Sequence, residues 1–103
     1  MNEYDFPAAR EALMAHFERC AAWLNHAAPH STHVDRSDPN ALTLRVGAHA
    51  YFRFHQTPDG PAYTWWYPAS PRPVGDHDIL GDPVPVVHDA VLQYMRRARS
   101  ELG

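Results

Sequence analysis

The chain has 103 residues, a formal net charge of −3 and one cysteine, Cys20. This length suits a single domain with one modest hydrophobic core, and the negative charge disfavours a general nucleic-acid binder. A lone cysteine excludes an internal disulfide, so we expect a reducing, cytoplasmic setting. The start of the chain carries no targeting segment and no stretch reaches transmembrane length, so we expect neither a signal peptide nor contact with a membrane. The fixed cations are all arginine, which together with abundant alanine, proline and histidine indicates a GC-rich bacterial source.

The first predicted element is a helix over residues 6–27. Asp5 is a suitable N-cap, and Pro7 fits the first turn. Pro29 ends the helix, and we interpret residues 29–40 as a polar connection. Apolar residues recur along the helix at steps of three and four: Phe6, Ala9, Leu13, Phe17, Cys20 and Leu24.

Three antiparallel strands follow, over residues 42–46, 50–55 and 63–67, because apolar and polar residues alternate there. The first turn, around residues 47–49, needs an odd number of residues, since an even loop would mix the apolar and polar faces. The predicted pairs are Val46 with Ala50, Leu44 with Phe52, and Leu42 with Phe54.

The second turn is predicted from Thr57, Pro58, Asp59 and Gly60. Proline and glycine at these places favour a type I turn closed by a glycine bulge, which pairs Thr57 with Pro61. On one face, this register pairs His55 with Tyr63, Arg53 with Trp65, and Tyr51 with Tyr67. On the other face, it pairs Phe54 with Thr64, and Phe52 with Trp66.

Residues 68–83 form a second connection, too rich in proline for a helix or a central strand. Residues 68–73 fit the PxxP pattern of a polyproline ligand, although a plain linker is the favoured interpretation. Ile79 and Leu80 are expected to pack the connection against the domain.

A second helix begins near Pro83 or Pro85, with Asp82 as its cap, and ends near residue 102. Its apolar stripe consists of Val84, Val87, Val91, Met95, Ala98 and Leu102. The order α-β-β-β-α over residues 1–103 predicts a single α+β domain, a two-layer sandwich with both helices on one face of a three-stranded antiparallel sheet. We expect that face to bury Phe52, Phe54 and Trp66 with Leu13, Phe17, Val87 and Val91.

The opposite face of this predicted sheet combines aromatic rings with cations, and we name it the aromatic-cationic face. Its members are Arg45, Tyr51, Arg53, His55, Tyr63, Trp65 and Tyr67. Tyrosine, tryptophan and arginine are enriched at interface hot spots, and they also stack on nucleobases. Ordinary cross-strand aromatic pairing is the alternative explanation. The predicted centre of the face is Trp65 opposite Arg53.

Other clusters are weaker candidates. His26, His30, His33 and Asp35 are possible metal ligands, to which residues 76–78 could add, although their spacing matches no metal motif and solvated loop histidines are the alternative. We therefore assign no metal and no cofactor.

His16 and Cys20 lie one helical turn apart, which permits a thiol–imidazole pair, but small core packing is the commoner role for such a cysteine. The sequence carries no nucleophile elbow, phosphate loop or paired-carboxylate motif, so we predict no catalytic residue and no enzymatic activity.

Two families share features with this chain. The order of elements resembles the double-stranded-RNA-binding domain in topology alone, because residues 82–89 are acidic where that family carries lysines. Residues 42–46, residues 51–58 and the following tryptophans are similar to the central strands of frataxins, which are iron-handling αβα proteins. That resemblance implies a metal-binding function.

The leading hypothesis is a small cytosolic, non-catalytic binding or regulatory protein. It acts through the aromatic-cationic face on a protein partner or on a second copy of the chain. The alternatives are a single-stranded nucleic-acid binder that uses the same face and a frataxin-like metal-binding protein.

Overall fold

The computed structural model of the protein describes residues 5–67 and 77–102. Its elements are α1 (Phe6–Ala27), β1 (Thr32–Asp35), β2 (Ala41–Val46), β3 (Ala50–Thr57), β4 (Gly60–Trp66), β5 (His77–Asp78) and α2 (Pro83–Leu102). The described strands form one antiparallel sheet in the order β1-β2-β3-β4-β5. The α+β class is confirmed, but the prediction of a three-stranded sheet is wrong because the sheet has five strands.

Both helices begin and end where the sequence predicts. A carboxylate oxygen of Asp5 accepts a hydrogen bond from the amide of Ala8 at 3.3 Å, which caps α1. Asp82 accepts one from the amide of Val84 at 3.0 Å and caps α2 in the same way. Each contact satisfies a backbone donor that has no partner inside its helix.

The two helices lie on the same face of the sheet. The ring of Phe52 meets Phe17 of α1 at 6.0 Å between centroids and Tyr94 of α2 at 5.6 Å. Phe52 is 0% exposed and Phe54 is equally inaccessible. Full burial extends to the expected helix residues Leu13, Phe17, Val87 and Val91. This part of the predicted core is confirmed.

The hairpin of β2 and β3 has the predicted register. Val46 lies opposite Ala50, Leu44 opposite Phe52, and Leu42 opposite Phe54. Three residues therefore separate the paired ends, and Gly47 takes a positive φ of 63° that few other residues adopt easily. The alternation of side chains in both strands left one register that buries every apolar residue.

The hairpin of β3 and β4 does not have the predicted register. Thr57 lies opposite Gly60, so only Pro58 and Asp59 form the turn. The observed pairs include Tyr51 with Trp66, Phe52 with Trp65, Arg53 with Thr64, and Phe54 with Tyr63. A shift of one residue turns every side chain of β4 to the other face. The prediction that Trp66 belongs to the core with Phe52 and Phe54 is therefore wrong, and Trp65 takes that side.

Local hydrogen bonding explains the observed turn. The hydroxyl of Thr57 donates to the carbonyl of Gly60 at 2.8 Å and accepts from the amide of Asp59 at 3.2 Å. The carbonyl of Pro61 accepts from the amide of Ile79, so the backbone of Pro61 faces away from β3. Proline has no N–H to donate, and this register needs none at that place.

Residues 29–40 are not only a connection, because they contain strand β1. Its sequence offers one apolar residue, Val34, and the strand is held by tertiary contacts. The side-chain amide of Asn25 donates to the carbonyl of Thr32 and accepts from its amide, both at 2.8 Å. Asn25 thus pairs both outward backbone groups of Thr32, which protects this part of the edge strand from unwanted pairing.

The second connection also contains a strand, the two-residue β5, which pairs with Ala62 and Tyr63 of β4. Ile79 is buried as expected, but Leu80 is 91% exposed, so the expectation for that residue is wrong. The PxxP segment and Asp76 lie outside the described residues.

Candidate functional site

The structure divides the aromatic-cationic face between the two sides of the sheet. Arg45, Tyr51, Arg53 and His55 lie on the outer face, the side opposite the helices, as predicted. Tyr63 and Trp65 lie on the helix side, since they pair with the buried Phe54 and Phe52. Tyr67 is buried there too. The predicted exposure of this row is wrong, and so is the predicted pairing of Trp65 with Arg53.

The rings of Tyr63, Trp65 and Tyr67 form one wall of a groove, which we name the β4–α2 groove. Its volume is about 330 Å³. It is lined by Tyr63, Trp65 and Tyr67 from the β4 side and by Ala90, Gln93, Tyr94 and Arg97 from α2. Side chains two residues apart in a strand, or three to four apart in a helix, lie on the same face of that element. The three rings of the β4 side therefore form one wall of the groove, and the α2 residues form the opposite wall.

Two tyrosines fix one end of the groove. The hydroxyl of Tyr67 donates to the carbonyl of Tyr94 at 3.3 Å, and the hydroxyl of Tyr94 donates to the carbonyl of Trp66 at 3.1 Å. Their rings stack with centroids 4.6 Å apart. The guanidinium of Arg97 lies 5.3 Å above the ring of Tyr67, within cation–π range. The end of the groove is therefore built from rigid rings and carries a positive charge.

The strand wall of the groove continues as a stack of rings. The ring of Tyr63 lies 5.7 Å from that of Trp65 and 5.5 Å from that of Phe52. On the edge strand, His77 stacks on Trp65 at 4.6 Å and on Tyr63 at 5.2 Å. The Nε2 atom of His77 is buried and has no hydrogen-bond partner among the described residues. Stacked rings present a wide apolar surface with few rotatable bonds.

Sequence reasoning missed the helix wall of the groove. Ala90, Gln93, Tyr94 and Arg97 follow helical spacing beside the buried stripe of Val87 and Val91. An aromatic residue at the margin of an apolar stripe, with an arginine three residues later, was the available signal. It had no interpretation without the register of β4.

The outer face carries charge that is paired within the molecule. Arg45 binds the carboxylate of Asp35 at 3.0 Å, and Arg53 binds that of Asp38 at 3.3 Å. Beneath them, Thr43 and Thr64 are buried, and a shallow cavity of about 150 Å³ lies between these threonines, both arginines and Tyr51. The positive charges of Arg45 and Arg53 are thus offset by Asp35 of β1 and by Asp38 of the loop that follows β1.

Trp66 is the aromatic residue that sequence reasoning did not place on the outer face. It lies opposite Tyr51, and His49 of the first turn meets its ring edge-on at 6.2 Å. Its indole N–H is buried and has no acceptor among the described residues. The outer face therefore has its own small aromatic pair.

The weak metal candidates do not come together. His26, His30 and His33 are exposed, and no trio of histidine, cysteine or acidic residues within residues 5–67 and 77–102 has a metal-binding arrangement. Asp35 is instead held by the hydroxyl and amide of Ser37 and by Arg45, and these contacts keep the pKa of its carboxyl well below the usual range.

The His16 and Cys20 pair lies in the interface of the two helices. The imidazole of His16 stacks on that of His88 of α2 at 3.6 Å, and its Nε2 lies 3.9 Å from the thiol of Cys20. Burial raises the pKa of Cys20 to about 11, against the weaker opposite effect of Arg19. Burial first, then repulsion from His88 and Arg19, lowers the pKa of His16, and a hydrogen bond to the carbonyl of His88 only partly opposes this. The two groups form a neutral packing contact, and this thiol is a poor nucleophile.

Comparison with protein-family models, curated proteins and solved structures finds no match to this chain. Neither described helix is long and apolar enough to cross a lipid bilayer. The chemistry of the β4–α2 groove is therefore the basis for a functional assignment.

Proposed function

We propose that the protein is a small, non-catalytic binding protein and that its β4–α2 groove holds a segment of a protein partner. The observation that supports this most is the composition of a preformed concave site. Three tyrosines, one tryptophan and one arginine line it, and these are the residue types that dominate interface hot spots. A volume of about 330 Å³ falls at the small end of ligand sites.

The groove is preorganised, which favours binding. Reciprocal hydrogen bonds hold Tyr67 against Tyr94, and ring stacking holds Trp65 against its neighbours. A partner would therefore lose little free energy to ordering of this wall. Covering half-buried rings also removes apolar area from water, which drives association.

The outer face fits a single-stranded nucleic acid less well. Its two arginines are each paired with an aspartate, and the chain carries a net charge of −3. Nucleic-acid binding without sequence preference needs several phosphate contacts and weakens steeply with salt. The frataxin-like alternative has no metal-binding cluster in the part of the chain that the structure describes.

A display library of random heptapeptides tests the proposal. Wild-type protein should enrich a family of peptides, and Ala90→Trp, which places an indole in the groove, should remove that enrichment. Tyr51→Ala, on the outer face, is the matched control and should enrich the same peptides as wild type. Equal enrichment by wild type and Ala90→Trp would contradict a role for the groove.

The outer face is a second candidate, for contact with another copy of the chain. Tyr51 lies opposite Trp66 on a side of the sheet that no described helix covers. Sedimentation of the wild type should then show a dimer that Tyr51→Glu dissociates while the groove still selects peptides. A monomeric wild type at high concentration would exclude this role. A lone, buried thiol agrees with a cytoplasmic location, which is part of this proposal.

A further inference from the structure

We infer that the β4–α2 groove selects an extended peptide of three to four residues that carries an acidic side chain at one end, next to one or more apolar side chains. This rests on the proposed function, and it adds the chemical class of the segment and the end of the groove at which its acidic side chain lies. Four observations carry it: the length of the groove, its rings, the distribution of charge along α2, and the presence of one cation among the described residues that line it.

The length of the groove fits a short extended chain. From Ala90 to Arg97 the helix wall is roughly 10 Å long, at the rise of an α-helix. From Tyr63 to Tyr67 the strand side is roughly 13 Å long, at the rise of a strand. At about 3.3 Å for each extended residue, that length accommodates three or four residues of a peptide.

The rings define what the first part of the segment must be. Trp65 and Tyr63 are half-buried and stacked, and Tyr94 on the helix wall is buried. The faces of these rings offer no hydrogen-bond partner to a charged group, so they favour aliphatic, prolyl or aromatic side chains over charged ones.

The charge along α2 defines where in the groove the acidic side chain of the segment lies. Asp89 precedes Ala90 in the chain and accepts a hydrogen bond from the side chain of Gln93 at 3.0 Å, so a negative charge lies beside this half of the helix wall. Arg97 lies at the other end, above Tyr67. A guanidinium has five N–H donors, so it can bind a carboxylate in addition to its contacts within the protein. The acidic side chain of the ligand therefore belongs beside Arg97 and Tyr67.

The presence of one arginine among the described lining residues also favours a peptide over a nucleic acid as the ligand. One carboxylate needs one guanidinium, whereas an oligonucleotide presents a phosphate at every step. Among the described residues that line the groove, Arg97 is the one that is charged, and the nearby Asp89 would repel a second phosphate.

The test is the same heptapeptide selection, repeated with two charge reversals on α2. Arg97→Glu changes the groove, and Arg99→Glu is the matched control because Arg99 lies over Trp23, outside the groove lining. Wild type and Arg99→Glu should both enrich peptides in which aspartate or glutamate is adjacent to an apolar residue. Arg97→Glu should instead enrich lysine or arginine at that position. A synthetic wild-type-selected peptide should bind Arg97→Glu about tenfold more weakly or worse, as expected for a lost charge-assisted pair.

Three results would overturn the inference, and they differ in what else they reject. If Ala90→Trp abolishes selection but wild type and Arg97→Glu enrich the same sequences, the acidic specificity is wrong while the proposed function stands. If no enriched peptide depends on the groove, both are wrong. If fluorescent oligo(dT) binds wild type and is lost in Arg97→Glu, the occupant is a nucleic acid.

Discussion

The two hairpins that share β3 make an instructive comparison, because the same kind of reasoning succeeded for one and failed for the other. In the hairpin of β2 and β3, both strands alternate strictly, and only one register buries Leu42, Leu44, Phe52 and Phe54 together. In the hairpin of β3 and β4, one register pairs Phe52 with Trp65 and the other pairs it with Trp66, so both registers place a tryptophan beside Phe52. Alternation determines register only when the two faces of a strand differ clearly in polarity.

The second register also determines which residues line the candidate site. The predicted register would put Tyr63, Trp65 and Tyr67 in water on the outer face. The observed register puts them beside α2, where they become a wall of the β4–α2 groove. A shift of one residue thus converts a flat exposed patch into a concave site.

The largest effect is expected at the residue that both hairpins share in the core. Phe52 contacts Phe17 and Tyr94 and is fully buried. Phe52→Ala should lower the free energy of unfolding by about 3–5 kcal/mol, from lost burial and the cavity left behind. Tyr51→Ala, the neighbour on the outer face, should cost about 1 kcal/mol or less. Urea unfolding of both variants gives the comparison, and equal losses would mean that the two sheet faces are not distinct.

The next effect tests the register of β4 directly. Trp65 packs against the core and stacks on Tyr63 and His77, whereas Trp66 lies on the outer face. Trp65→Ala should therefore lower the free energy of unfolding by about 2 kcal/mol or more, and Trp66→Ala by less. The sequence-based register predicts the reverse order. Thermal melts of the two variants decide between the registers.

The two turns offer a smaller, matched comparison. Gly60 has a φ of 127°, which side-chain-bearing residues rarely adopt, and Gly47 has a φ of 63°, within the left-handed region that they reach with moderate strain. A Cβ added at either place meets no atom within 4 Å, so any cost comes from the backbone.

Gly47→Ala should therefore cost about 1 kcal/mol and Gly60→Ala about 2 kcal/mol, measured by urea unfolding. Gly60→Ala should also weaken peptide selection, because it strains the hairpin that positions Tyr63 and Trp65. An equal cost at both turns would indicate that the second hairpin relaxes to another turn geometry.

The smallest effect concerns pH and the helix interface against which both hairpins pack. The pKa of His16 is lowered in the folded protein, mainly by burial. In the unfolded chain, the pKa of this histidine is about 6.5. As pH falls below about 6.5, the unfolded chain therefore binds a proton that the folded protein does not, so stability should decline.

His16→Gln should reduce this decline, while His26→Gln, at an exposed position of α1, should leave it unchanged. The measurement is the free energy of unfolding of each variant at pH 8 and at pH 5.5. An identical pH dependence for wild type and His16→Gln would assign the decline to other groups.

Local signals predicted the helices fully. Asp5 and Asp82 cap the helices, Pro29 closes the first one, and the apolar stripes face the sheet. Each of these signals acts within a few residues, so the sequence carries it without the fold. Strand β1 had no comparable signal, because Asn25 of α1 holds it through the backbone of Thr32.

The candidate site could be predicted only in part. The sequence identified Tyr63, Trp65 and Tyr67 as functional candidates, and these residues do line the β4–α2 groove. It placed them on the wrong face with Arg53, and it did not identify Tyr94 or Arg97. A groove between two elements depends on residues far apart in the chain, and no local pattern relates them.

The sequence by itself determined the class of fold, both helices and the first hairpin. Periodicity and capping act between residues that are close in the chain, so these elements need no distant contact to be predicted. Only the tertiary structure decided which face of the sheet each side chain of β4 occupies, and that β4 pairs with β5 on its other side. The Thr57 hydroxyl and the missing N–H of Pro61 favour the two-residue turn, and Tyr94 receives Tyr67 only in that register. Where both faces of a strand are aromatic, the surface that packs against it decides which face is inside.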